Sequence, residues 1–209
     1  VNYPAIALHT LRIAGVLVLA VGTAPAQEPK ASPAPALLLS PLAGQPIPVL
    51  PITYVVADST VTPMLPAALA QRLAWADSLV GEALLGRGPE VSWLLPEELR
   101  RIARRAPGTV SNPDRMGQAL LRADGLKRIP DPLFSQLRSL AAMSNARQVL
   151  VPAAVRFRRV VEGVRAEVVL VLTDTRSGAL LWRSTPFAVA ATPDAALSAA
   201  MAKILPDFN

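Results

Sequence analysis

Apolar and polar positions alternate most clearly towards the carboxyl end of the chain. Residues 149–161, 164–173 and 179–189 are three runs rich in β-branched side chains, separated by Glu162-Gly163 and by Asp174-Thr-Arg-Ser-Gly178. Both separators have hairpin length and turn-forming residues, so the runs are expected as a three-strand antiparallel meander. Upstream the period changes. Leu69, Leu73, Ala76, Val80 and Ala83/Leu84 recur at three and four residues over 66–85, predicting an amphipathic helix that Gly86-Arg-Gly-Pro89 terminates. Residues 49–56 and 91–95 are short apolar runs that read as strands, with Pro51 favouring an edge or an early position in the first. Further helices are expected over 96–105, with Pro96 in its first turn and acids leading bases, and over 112–122, 131–145 and 193–205. In the third of these Leu133, Leu137 and Leu140/Ala141 share one face. The predicted fold class is α/β: a mixed, mostly antiparallel sheet with a C-terminal three-strand meander, flanked by helices.

The first 26 residues carry a different pattern. Arg12 precedes the nine-residue apolar run 13–21, and Ala24-Pro-Ala26 supplies the small-x-small site of a signal peptidase. Residues 1–26 are therefore expected to be a signal peptide cleaved after Ala26, with the product periplasmic or secreted. The apolar stretch, interrupted by His9 and Arg12, is shorter than the roughly 20 residues of a membrane span. An uncleaved anchor stays the alternative. Residues 27–45 are rich in Pro and Ala without a period and read as a linker on which Leu37-Leu-Leu39 offers a docking point. Residues 46–209 are expected as a single α/β domain.

Composition narrows the chemistry. The chain is 52% apolar and 17% charged, has no cysteine, and its one histidine, His9, lies in the signal segment. Past Ala26 there is no thiol, no imidazole base, no zinc site of the usual kind and no disulfide. Serines such as Ser111 and Ser177 have no histidine or placed lysine as base, and Glu97 and Glu98 are adjacent helix positions about 100° apart rather than a catalytic dyad. No phosphate-binding glycine loop occurs. The reading is a non-enzyme without a cofactor or a metal.

Two segments carry a family resemblance. The first is Ser139-Leu-Ala-Ala-Met-Ser-Asn-Ala-Arg-Gln-Val-Leu-Val-Pro152, a helix delivering a buried strand. The second is the run 168–183, a strand, an Asp-x-x-x-Gly turn and a strand ending in Leu181-Trp182. Together they resemble the small periplasmic domain shared by the TolB amino-terminal region, the lipoprotein activators of peptidoglycan synthases and the soluble part of the curli-secretion lipoprotein. The resemblance spans about residues 48–205 and implies that fold and an envelope protein as partner. These 209 residues contain no cysteine for lipid attachment and no propeller repeats, so lipid anchoring and propeller-borne partners are not implied.

Charge is uneven along the chain. Between residues 100 and 165 fourteen Lys/Arg face four Asp/Glu, whereas the flanking segments are weakly acidic. Such a zone fits an acidic partner, or a plain solvated surface. Export and the lack of stacking aromatics among these arginines, Phe134 and Phe157 only, argue against nucleic acid, and none is expected as a partner. Arg100, Arg101, Arg104 and Arg105 lie at helical spacing, and either complement a helix C-terminus or form a docking patch. Arg156 and Arg158 leave one face of a strand, with Arg165 and Glu167 on the polar face of the next: a charge-paired surface or a binding face. Trp182 is placed on the side of Leu180 and Ser184, as a core plug or a ligand anchor. The function expected is an exported, non-catalytic envelope module binding a protein through the helix arginines or a sheet edge. The alternative is a periplasmic module holding an anionic lipid, glycan or phosphate-bearing ligand in its arginine zone.

Overall fold

The computed structural model describes residues 35–87 and 90–205. The expected signal segment 1–26 and residues 27–34 of the expected linker lie outside them. In chain order the regular elements are β1 (Pro46–Pro48), β2 (Val55–Ala57), α1 (Leu69–Arg87), β3 (Ser92–Leu94), α2 (Pro96–Arg105), α3 (Leu133–Met143), β4 (Gln148–Val160), β5 (Gly163–Asp174), β6 (Leu180–Ser184), β7 (Phe187–Ala190) and α4 (Pro193–Ala202). The main sheet has the order β2-β4-β5-β6, with β7 also paired to β5; β2 runs parallel to β4 and the other pairings are antiparallel. A second, two-stranded parallel sheet joins β1 to β3.

The main sheet is buried on both faces over much of its length, which is why β4 and β5 read as near-continuous apolar runs. One face presents Leu150, Val155 and Phe157 of β4 and Val164, Ala166, Val168, Leu170 and Leu172 of β5 to the core shared with α1 and α4. The other presents Val149, Val151, Ala153 and Ala154 with Val169 and Val171 to Leu133, Leu137 and Leu140 of α3, Leu99 of α2 and Leu121. Pro152 has no N–H for the ladder, and the register slips between Pro152 and Ala154. That bulge puts Arg156 and Arg158 on the same face as Ala154.

The predicted mixed α/β class is the one observed, with four differences in detail. The strand expected over 49–56 is divided: Pro51 has no amide to donate, and the Ile52 amide donates to the Asp77 carboxylate of α1 (2.7 Å). The strand expected over 179–189 breaks at Thr185-Pro186 into β6 and β7, held in line by the Val168 amide on the Pro186 carbonyl (3.0 Å). The short helix expected over 112–122 is two 3-10 turns, Pro113–Arg115 and Gln118–Arg122, the first capped by the Asn112 side chain on the Asp114 amide. Finally, Leu69 is largely exposed at the start of α1, where the periodicity put it on the core face.

Within the Pro/Ala-rich stretch, Leu37, Leu39 and Leu42 are buried in the α1/α4 core. The Leu37 amide donates to the Ile204 carbonyl (2.8 Å), and Gly44 donates to Glu90 (3.0 Å). Two glycines matter for the turns. Gly163 follows the two-residue tip Val161-Glu162 with φ +145°, and a Cβ there would stand 2.3 Å from the Ala190 carbonyl oxygen. Gly178 closes the Asp-x-x-x-Gly turn at φ +72° against the Phe134 ring.

Candidate functional site

The four arginines of α2 meet different fates. Arg100 is drawn inward. Its Nη2 lies 3.2 Å from Asp77 Oδ2 and 2.8 Å from Asp114 Oδ1, and its Nε lies 3.1 Å from Asp114 Oδ2. It thereby ties α2 to α1 and to the 3-10 turn at Pro113. Arg101 pairs with Glu98 (2.9 Å) and Arg104 with Glu97 (3.2 Å), so the first-turn acids neutralise cations one and two turns on. Arg105 is exposed at the helix end and has no ion pair among the described residues.

Asp77 was not signalled by the sequence, because nothing in its surroundings there marks it as buried. Its side chain is only 10% exposed. Burial pushes its carboxyl up to about 6, against the opposing pull of the Ile52 amide and Arg100. Hydrogen bonding to Asp114 raises the guanidinium of Arg100 further into its charged form. Two acids from separate segments therefore do converge, Asp77 and Asp114, but both hold the same arginine. That geometry clamps helices; it leaves no free carboxylate pair for acid–base work.

The second arginine group has a different setting. Helices and 3-10 turns cover the α3 side of the sheet only as far as Arg122, whose Nε donates to the Ala153 carbonyl (3.0 Å) and whose guanidinium sits 3.9 Å from the Tyr54 ring centre. Beyond that point Arg158 is exposed while Arg156, Arg165, Glu167 and Phe187 are part-buried, and strand register orders the side chains of this face into two rows. Val56, Arg156, Glu167 and Phe187 form one row across β2, β4, β5 and β7. Arg158, Arg165 and Val189 form the next. Arg156 reaches Glu167 at 3.2 Å and Arg165 reaches it at 3.9 Å. The Arg165 guanidinium also lies 3.6 Å from the centre of the Phe187 ring. Arg158 is exposed, stands directly opposite Arg165, and has no ion pair among the described residues.

A depression of about 320 Å³ lies here, lined by Val56, Asp58, Arg156, Arg158, Arg165 and Glu167. The Asp58 carboxylate is engaged with the amides of Arg159, Thr60 and Val61, which hold it below the usual carboxylate range. The structure thus brings Arg156 and Arg158 together with Arg165 and Glu167 and keeps the α2 arginines apart from them. Phe187, Val189 and Val56 were not among the expected site residues. Their membership depends on the break at Pro186 and on which short strand lies beside β4, neither of which has a local sequence signature.

Trp182 shares the side of Ser184, as expected, but not that of Leu180. The register slip between Leu172 and Thr173 sends Leu180 to the α3 core and Trp182 to the α1/α4 core. Its indole Nε1 donates to the Ala36 carbonyl (3.1 Å), so it holds the segment before β1. Among the described residues no group of three or more His, Cys, Asp or Glu is placed to hold a metal ion. No described helix is long and apolar enough to cross a membrane.

No protein-family model matches the chain, and no curated protein matches it. Among solved structures it is similar to the LpoB C-terminal domain from Salmonella enterica, at 13% identity and a TM-score of 0.43 over 71% of this chain and 84% of that one. It is also similar to the PelC dodecamer from Paraburkholderia phytofirmans, at 18% identity and 0.38 over 84% and 96%. The solution structure of Escherichia coli LpoB gives 12% and 0.37 over 88% and 87%. These values indicate nothing about binding or catalysis. The TolB likeness expected from residues 139–183 is not shown by them.

Proposed function

We propose that this chain is an exported, non-catalytic module of the cell envelope that binds another protein through the open end of its main sheet. The observation that supports this most is that Arg158 is exposed and stands directly opposite Arg165, beside Arg156, on the sheet face beyond Arg122. Like charges directly opposite on a sheet cost stability, and such a local conflict is typical of binding surfaces. The absence of Cys and His past Ala26, and the locking of Asp77 and Asp114 by Arg100, support a binding role over a catalytic one.

This reading moves the docking face from the helix arginines, of which Arg100, Arg101 and Arg104 have acid partners of their own, to the strand arginines. The test is a crosslinking pull-down from envelope fractions with three proteins: wild type, Arg156→Gln/Arg158→Gln and Arg101→Gln/Arg105→Gln. A specific protein recovered by wild type and the helix variant but lost by the strand variant is the expected result. Equal recovery by all three refutes the assignment of the face. Recovery by none, with thermal stabilisation by an anionic glycan or phosphate ligand that fades with salt, would make the module a ligand binder instead.

A further inference from the structure

We infer that the outer edge of β7, with Thr185 before it, takes an extended segment of a partner protein as an added strand, with an acidic side chain of that segment at Lys203. The inference rests on the protein-binding reading above and specifies how the partner is held. The phase of the ladder decides which groups are available. The Val168 amide of β5 donates to the Pro186 carbonyl (3.0 Å). Bonded positions recur at every second residue, so Ala188 and Ala190, opposite Ala166 and Val164, also turn their backbone groups to β5. Thr185, Phe187 and Val189 then turn theirs outwards, and no described strand lies beside them. Pro186 has its missing amide on the inner side, so it does not interrupt this edge. Thr185 and Val189 are exposed.

The chain itself makes such an addition a little way along the same edge. The Leu180 amide donates to the Lys127 carbonyl (3.0 Å) and the Ile129 amide to the Gly178 carbonyl (2.8 Å), so residues 127–129 lie antiparallel beside the start of β6. Beside 185–189 no described segment does the same. Lys203, at the end of α4, points to the chemistry of the occupant. Its ammonium donates to the outward Phe187 carbonyl (2.7 Å), lies 4.9 Å from the Phe187 ring centre, and makes no ion pair among the described residues. A lysine on a free edge opposes pairing with a second copy, because antiparallel pairing centred on Phe187 would set two such ammoniums against each other. A foreign strand with a carboxylate at that point gains a charge-assisted bond where an identical chain meets repulsion. The edge therefore selects an acidic extended segment of another protein over self-association.

The probe is a blocked nine-residue peptide of alternating threonine and valine with a central glutamate, titrated into the purified chain and read by amide hydrogen exchange. With about nine sites in ten occupied, exchange of the Thr185, Phe187 and Val189 amides is expected to slow about tenfold, while that of Ala188 and Ala190 stays as it was. The same peptide N-methylated throughout keeps its side chains, loses its amide donors and is expected not to bind. Glutamine in place of the glutamate is expected to weaken binding several-fold, and Lys203→Gln to erase that difference. Val189→Pro removes an outward amide without touching the ladder to β5, and is expected to abolish binding while the thermal melt is preserved. If that variant does not fold, the N-methylated peptide decides the point on the unaltered chain. Indifference to N-methylation, protection absent from those three amides, equal affinity of the glutamate and glutamine peptides, or no binding overturns the inference. Adding saturating peptide to the pull-down separates it from its parent. Capture that needs Arg156 and Arg158 but survives the peptide leaves protein binding standing and overturns the added strand. Capture displaced by the peptide and not by its N-methylated form supports both, and capture of no protein overturns both.

Discussion

Replacing Arg100 with Gln tests whether the α2 arginine is a clamp on a buried acid. In the folded protein the Asp77 carboxyl is raised from 3.8 to about 6, so between those two values the folded state holds a proton that the unfolded chain has released. The contribution of Asp77 to stability is therefore greatest below pH 3.8 and declines as pH rises through 6; at pH 7 two units of displacement amount to a penalty of about 3 kcal/mol. Removing Arg100 takes away part of what holds the carboxylate ionised and pushes its pKa higher. The damage has a ceiling, because a carboxyl with a pKa above 7 is simply protonated. The extra penalty at pH 7 is then at most one further unit, about 1.4 kcal/mol, and it vanishes by pH 5, where Asp77 is mainly neutral in both proteins. Loss of the more exposed Asp114 pairing adds about 0.5–1 kcal/mol at both pH values. The expected total is about 2 kcal/mol at pH 7 and under about 1 kcal/mol at pH 5, read by urea denaturation followed through tryptophan fluorescence. Asp77→Asn, which keeps an acceptor for the Ile52 amide, should abolish the pH-dependent part of the Arg100→Gln effect. A loss undiminished at pH 5, or one retaining its pH dependence in the Asp77→Asn background, refutes the clamp.

Asp174 should behave in the opposite sense. Burial alone would raise its carboxyl, but the Ser177 amide, Arg147, the Ser177 hydroxyl and the Arg176 amide together pull it down to about 2. Its stabilisation of about 2 kcal/mol is present above pH 3.8 and lost as pH falls towards 2, and Asp174→Asn should flatten that acid limb in urea denaturation curves. Gly163→Ala should cost more than about 2 kcal/mol, measured as a lowered urea midpoint, because its Cβ meets the Ala190 carbonyl at 2.3 Å at a backbone φ of +145°. Trp182→Phe should speed hydrogen exchange at the Leu37 amide well before it lowers global stability, since the indole bond to Ala36 holds that segment locally. Equal loss of protection across β4 and β5 would refute that local role.

The sequence was most legible where the signal is periodic. The β4–β5 hairpin, α1, α2 and the placement of Arg156, Arg158, Arg165 and Glu167 on one face follow from alternation and turn residues. Features set by proline's missing amide were legible only as warnings. Pro51 and Pro186 mark breaks, but the run of Ile52 to Asp77 and the separation of β6 from β7 depend on contacts 20 or more residues away. The shared side expected for Leu180 and Trp182 failed for a related reason: a one-residue register slip between them puts them on opposite faces, while Trp182 and Ser184 stay together. Asp77 was invisible because its role lies in desolvation, which no residue type announces.

The arginine excess between residues 100 and 165 shows why net charge alone is a weak guide to binding. Seen along the chain, α2 is the denser cluster, and it is the obvious patch. In the fold that density is largely offset: Glu97, Glu98, Asp77 and Asp114 engage three of its four guanidiniums. Elsewhere in the zone Arg122 holds the Ala153 carbonyl, Arg128 the Ser177 carbonyl (2.7 Å) and Arg147 the Asp174 carboxylate (2.8 Å). These cations bind the protein to itself. What distinguishes the strand group is less its charge than its geometry, since strand register fixes an exposed Arg158 opposite a part-buried Arg165. A helix cation can swing towards a nearby acid at little cost, whereas in the strand pair Arg165 turns onto the Phe187 ring and Glu167 and leaves Arg158 exposed. Substituting all four helix arginines together would therefore confuse a folding defect at Arg100 with a docking defect. Changing Arg158 alone leaves the Arg100 clamp intact and keeps the two effects apart.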